Sequence, residues 1–178
     1  KGSTLRMPKP LPKHLRDEQV MVLFSAIRKP RDRAMFKVML RCGLRVQEVA
    51  HLSIADLDLR RNRIFVRNGK GRKDRVVYVS PDAYVAIVNY LRVRPLSKAK
   101  KLFLVEKGSC LGEPISVRGI QKRMEYYSRI TGIDVSCHQL RHTMATQMLN
   151  ADAEIETIQD DDDFNTTILN YWGSGISA

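Results

Sequence analysis

From His142 to Ala178 the chain contains no lysine or arginine, although it carries 31 such residues in all. Cysteine is scarce. Cys42, Cys110 and Cys137 form an odd set with no C-x-x-C spacing, which excludes a disulfide framework and the common zinc motifs. A reduced, cytoplasmic setting is the simplest reading of that usage. No apolar run reaches membrane-spanning length and no signal-peptide pattern opens the chain, so neither a span nor secretion is expected. No internal repeat is visible, which removes solenoids and propellers.

What is present points to a globular, polyanion-binding protein. The 178 residues are 43% hydrophobic, enough for one domain with a substantial core. The formal charge is +12, and it is unevenly spread. Residues 1–141 hold every basic side chain and 12 of the 19 acids, a net of +19, and the remainder holds seven acids, a net of −7. A basic body suits a nucleic-acid partner, though a merely solubilising surface has the same composition. Pro8, Pro10 and Pro12, interleaved with Lys9, Leu11 and Lys13, make residues 1–15 an extended linker or arm rather than a core element. Residues 16–178 are then the folded domain.

Periodicity and punctuation predict mostly helices. Val20, Leu23, Phe24 and Ile27 mark a helix from Arg16 to Ile27. A second follows Pro30 and stops at Gly43, and a short third runs from Val46 to Leu52. Ile64–Val66 and Val76–Val79 read as the strands of a hairpin, and Leu102–Val105 as a third strand. Ser80-Pro81 opens another helix as N-cap and N1. Val117, Ile120, Met124 and Tyr127 mark one more, ending near Gly132. Ser136 and Gln139 have capping-box spacing at the head of a helix carrying Leu140, Met144 and Met148. Glu154–Gln159 should start the last. The expected fold is mainly α with a small antiparallel three-stranded β-sheet.

Three stretches carry candidate chemistry. Ser136-Cys137-His138-Gln139-Leu140-Arg141-His142-Thr143 places an imidazole and a guanidinium at a helix start, where backbone N–H groups and the helix dipole favour a phosphate. Gly43-Leu44-Arg45-Val46-Gln47-Glu48 puts Arg45 before a short helix, with Glu48 spaced to pair with its guanidinium. A plain structural Arg–Glu bridge reads the same way. Lys70 stands between Gly69 and Gly71 at the tip of a hairpin rich in cations: Arg60, Arg61, Arg63, Arg67, Arg72, Lys73 and Arg75 accompany it, against one acid, Asp74. Such a hairpin suits a DNA backbone or groove, and a solvated charged turn is the plainer alternative. Arg118, Lys122 and Arg123 on the 117–130 helix extend the candidate DNA surface. His142 reads as structural. Tyr78, Tyr84, Tyr90, Tyr126 and Tyr127 are explained as core or rim, which leaves Tyr171 as a candidate nucleophile.

Taken in order, Gly-Leu-Arg-x-x-Glu, the Gly-Lys-Gly hairpin and His-x-Leu-Arg-His-Thr-x-Ala-Thr resemble the catalytic domain of tyrosine recombinases, the phage-integrase and Xer-like family. That resemblance covers about Leu11 to Gln159. It implies the DNA breaking–rejoining fold, with Arg45 and Arg141 gripping the scissile phosphate alongside His138. Lys70 would be the hairpin lysine and Tyr171 the attacking residue. It also implies double-stranded DNA as partner, no metal or other cofactor, a further N-terminal domain not in this sequence, and a monomer that becomes a tetramer on paired sites. A topoisomerase or telomere resolvase would share the chemistry, and a DNA-binding module would keep the grip without cutting. The tail departs from the family pattern. After Ile158-Gln159-Asp160 the family continues Leu-Leu-Gly-His, with its tyrosine nine residues past that histidine. Here Asp161–Asp163 and Phe164 stand in those places, and Tyr171 falls two positions short of the expected register.

Overall fold

The computed structural model describes residues 14–67 and 73–150, with side chains as far as Gln147. Helix α1 (Asp17–Ala26) and helix α2 (Pro30–Cys42) come first, followed by the short α3 (Val46–His51). A 3₁₀ turn at Ile54–Asp56 leads into β1 (Leu57–Asp58), and a second at Leu59–Arg61 leads into β2 (Arg63–Val66). Then come β3 (Arg75–Tyr78), α4 (Pro81–Val93), α5 (Val117–Thr131) and α6 (Cys137–Asn150). No helix among the described residues is long and apolar enough to cross a membrane.

Helix α2 is the axis of the core. Pro30 at its first turn supplies a preset φ, and Gly43 ends it in the left-handed region at φ 70. Ala34, Met35, Phe36, Val38, Met39 and Leu40 are all fully buried, packed between α4 and α6. Each large apolar side chain hidden this way contributes roughly 1.5–3 kcal/mol. A buried charge also crosses the core. Asp32 of α2 is 0% exposed and accepts from Arg31 Nε (2.9 Å), Arg123 Nε (2.9 Å) and the Tyr127 hydroxyl (2.7 Å). The last two come from α5, so this carboxylate locks α5 against α2. Burial, then the hydrogen bond to Asp32, pushes the Tyr127 phenol up to about 12.

The sheet is antiparallel in the order β1-β2-β3, with Leu57 opposite Ile64 and Ile64 opposite Val77. Ile64, Val66 and Val77 face the core, whereas Phe65 between them is exposed, the alternation a one-sided sheet requires. One expectation is corrected. The third strand is Leu57–Asp58, not Leu102–Val105. Leu102, Phe103 and Leu104 are buried, but their neighbours are loops: Leu102 N–H donates to Leu52 O, and Ile115 N–H to Phe103 O. Single bridges form there, Ser53 with Lys101 and Leu104 with Pro114. The Tyr90 hydroxyl donates to Leu102 O (3.0 Å) and accepts from Leu104 N (3.1 Å), clamping the segment to α4. An apolar run signals burial and leaves the backbone partner undetermined.

Candidate active site

The turn after α2 starts the site. The left-handed Gly43 reverses the chain, so that Arg45 becomes the N-cap of α3 in extended conformation, φ −74 and ψ 156. Glu48, one turn on, accepts the Arg45 backbone N–H at 2.8 Å. Glu48 also holds a guanidinium from another element. Arg75 of β3 grips the carboxylate with two N–H groups, Nη1 on Oε2 and Nη2 on Oε1, the latter at 3.0 Å. Burial alone would raise the Glu48 carboxyl. The hydrogen bonds from Arg75 and from the Arg45 backbone outweigh it and hold the group below the ordinary carboxylate range.

Helix α6 supplies the opposite wall. The capping box forms as its spacing predicts: Ser136 N–H donates to Gln139 Oε1 (2.7 Å) and Gln139 N–H donates to Ser136 Oγ (3.4 Å). Arg141 then reaches across to the α2 terminus, its Nε donating to Gly43 O at 2.9 Å. Thr143, fully buried, accepts Leu15 N–H at 2.9 Å and donates to Gln139 O at 2.7 Å, which ties the start of the described chain to α6.

Between these walls lies a pocket of about 490 Å³. Arg45, Val46 and Gln47 line it from α3, His138 and Arg141 from α6, and Arg118, Gln121 and Glu125 from α5. Arg45, His138 and Arg141 therefore meet in one hollow although the first is nearly a hundred residues from the others in sequence. The one carboxylate among the described lining residues is Glu125, and Arg118 already occupies it at 2.7 Å. A hollow with this balance of charge suits an anion. Cys137 also borders it, but burial pushes its thiol up to about 11, so it packs as a small apolar group there. His142 is half-buried; burial, then the nearby His14 and His138, lower its pKa.

The remaining expectations sort by exposure. Lys70 and Arg72 in the hairpin, and Tyr171 in the tail, lie outside the described residues. Arg60, Arg61, Arg67, Lys73, Arg118 and Lys122 are exposed. Arg67 and Arg63 reach carboxylates on their own side of the sheet, Asp56 and Asp58, each at 3.0 Å. Two of the expected DNA contacts are turned inward. Arg75 is bound to Glu48, and Arg123 to Asp32 while stacked over Tyr126 and Tyr127. Their carboxylate partners are 27 and 91 residues distant, beyond the reach of local pattern. Gln121 and Glu125 were missed as pocket residues. Their spacing from Arg118, three and seven, is a single helix face and was the available signal.

The chain is similar to several known proteins. Tyrosine recombinase XerA of Pyrococcus furiosus is 38% identical over 157 residues, which cover 87% of this chain and 54% of that protein. Tyrosine recombinase XerD of Proteus mirabilis is 38% identical over 166 residues, 88% of this chain and 53% of that one. The chain thus spans about half the length of the curated relatives it matches. Among solved structures, the XerA recombinase crystal structure superposes with a TM-score of 0.74 at 28% identity, covering 89% of this chain and 60% of that one. The XerH recombinase bound to its difH substrate has the same fold, with a TM-score of 0.68 at 24% identity, over 87% of this chain and 48% of that one. Residues 13–164 match the model of the phage integrase family, and the chain belongs to that family.

Proposed function

We propose that this chain is the catalytic part of a site-specific recombinase that cuts and rejoins duplex DNA through a tyrosine–phosphate link. The observation that carries the reading is the convergence of Arg45, His138 and Arg141 on one pocket with a scarcity of carboxylate. The naming of the XerA and XerD relatives as tyrosine recombinases supports it. Residues 16–178 are the catalytic domain in this reading, acting as a monomer in isolation and as a tetramer on paired DNA sites.

Arg45 and Arg141 hold the non-bridging oxygens of the scissile phosphate and stabilise the charge that grows in the transition state. The same two cations favour the phenolate of Tyr171, whose ordinary pKa is about 10. Attack on phosphorus forms a 3′-phosphotyrosyl bond and expels a 5′-oxygen, which takes a proton from Lys70. His138 positions the phosphate and assists that transfer. The phosphodiester energy is retained in the covalent link, so a 5′-hydroxyl from a partner strand reverses the step without nucleotide hydrolysis.

A nicked suicide duplex, which loses the leaving strand after cleavage, tests the reading. An SDS-resistant protein–DNA adduct is the expected product, absent in Tyr171→Phe. The departures at Asp161–Asp163 and Phe164 favour one competitor, a module that grips DNA without cutting. Tight, salt-sensitive binding with no adduct from the unmodified chain would establish that competitor. An adduct that persists in Tyr171→Phe would remove Tyr171 as nucleophile.

A further inference from the structure

Arg75 occupies an energetically odd position. Its side chain is 12% exposed and that of Glu48 is 7%, so both charges are largely withdrawn from water. Its Nε is buried and meets no acceptor among the described residues. A buried ion pair with an orphaned donor adds little net stability, because desolvation offsets the attraction. The arrangement does fix geometry. The two-pronged grip sets both oxygens of Glu48, and one of those oxygens also takes the backbone N–H of Arg45. A planar guanidinium is suited to that task in a way an ammonium is not. Arg75 starts β3, directly opposite Val66 in β2, so the sheet is wired through one carboxylate to the cap on which Arg45 stands.

We propose that Arg75 is a positioning residue: it acts on DNA through Glu48 and Arg45, not by touching DNA itself. The proposal rests on the reading of Arg45 as a phosphate-gripping side chain. Its distinguishing property is coupling. Removing Arg75 matters only while Arg45 is present.

A double-mutant cycle tests this with wild type, Arg45→Ala, Arg75→Met and the combined variant. The affinity for a nicked duplex is measured across a salt series, and adduct formation is followed on the same DNA. Arg75→Met is expected to weaken binding about tenfold in the Arg45 background and to have almost no effect once Arg45 is alanine. Adduct formation by Arg75→Met should fall about a hundredfold, the usual result of displacing a gripping group by about an ångström. If Arg75 instead contacts a phosphate, its loss flattens the salt dependence by about one charge in both backgrounds, and the proposal is overturned. Equal losses in both backgrounds, tracking a lowered melting temperature, also overturn it in favour of a purely structural role. Should Arg75→Met not fold, the pair Glu48→Gln with Arg75→Met replaces it in the cycle. The amide so introduced retains an oxygen to cap Arg45, and no uncompensated carboxylate remains. Absence of adduct in wild type would defeat the cleavage reading alone, and the affinity cycle would still decide the role of Arg75.

Discussion

Two sets of arginines in this protein have the same chemistry and opposite placement. Arg31, Arg75 and Arg123 are bound to the carboxylates of Asp32 and Glu48 inside the fold. Arg45, Arg118 and Arg141 surround a pocket whose one described carboxylate is Glu125. A net charge of +12 does not distinguish them. Arginines facing buried acids build the frame, and those around the acid-poor hollow are placed to receive an anion. Counting cations along a sequence therefore does not separate those held by buried acids from those that line the hollow.

Substitutions on each side of that divide should separate cleanly. Asp32→Ala leaves Arg31 and Arg123 buried without their partner and should cost about 3–5 kcal/mol of stability, read by chemical or thermal unfolding. If stability barely moves, the inward set is not structural. Arg141→Ala should lower adduct formation by about 10²–10³-fold, the usual loss for one donor to a charged transition state. Circular dichroism and melting temperature should stay close to wild type. A large loss of stability with unchanged chemistry would place Arg141 in the frame instead.

A third cluster sharpens the comparison at smaller scale. Asp82, at the start of α4, accepts from Lys37 (3.1 Å), Arg41 (2.8 Å) and the Ser80 hydroxyl (2.5 Å). Burial opposes its ionisation, yet Ser80 and the two cations bring its pKa down from 3.8 to about 2. A depressed folded-state value means the carboxylate stabilises the fold above its unfolded pKa and ceases to do so as pH falls through about 2. Asp82→Asn should therefore lose about 1 kcal/mol near neutral pH, a figure kept small because the side chain is 39% exposed. Its unfolding curve should merge with wild type as pH falls from roughly 4 toward 2. A gap that stays constant with pH would assign the loss to shape and not to charge.

Much of the fold was readable because its boundaries are local. Pro30 and Gly43 bracket α2, Ser80-Pro81 opens α4, and Ser136 with Gln139 caps α6, each a rule confined to one turn of chain. The motifs Gly43–Glu48 and His138–Arg141 were equally visible, and Arg45, Val46 and Gln47 of the first and His138 and Arg141 of the second line a single hollow. What stayed hidden was tertiary. β1 is two residues long, too short to show a period, so the buried Leu102–Leu104 run drew the assignment instead. The acid that claims Arg123 lies on another helix, and only the packing of α5 on α2 brings the two together.

The carbonyl of Gly43 has one more implication. The peptide that halts α2 is also the seat of Arg141 Nε, and two residues later the same turn delivers Arg45. Both guanidinium groups thus stand on one handle, like the tines of a fork. Arg45 is joined to that turn by the chain itself and Arg141, carried on α6, by a hydrogen bond, so the end of α2 is a common reference for the placing of both side chains.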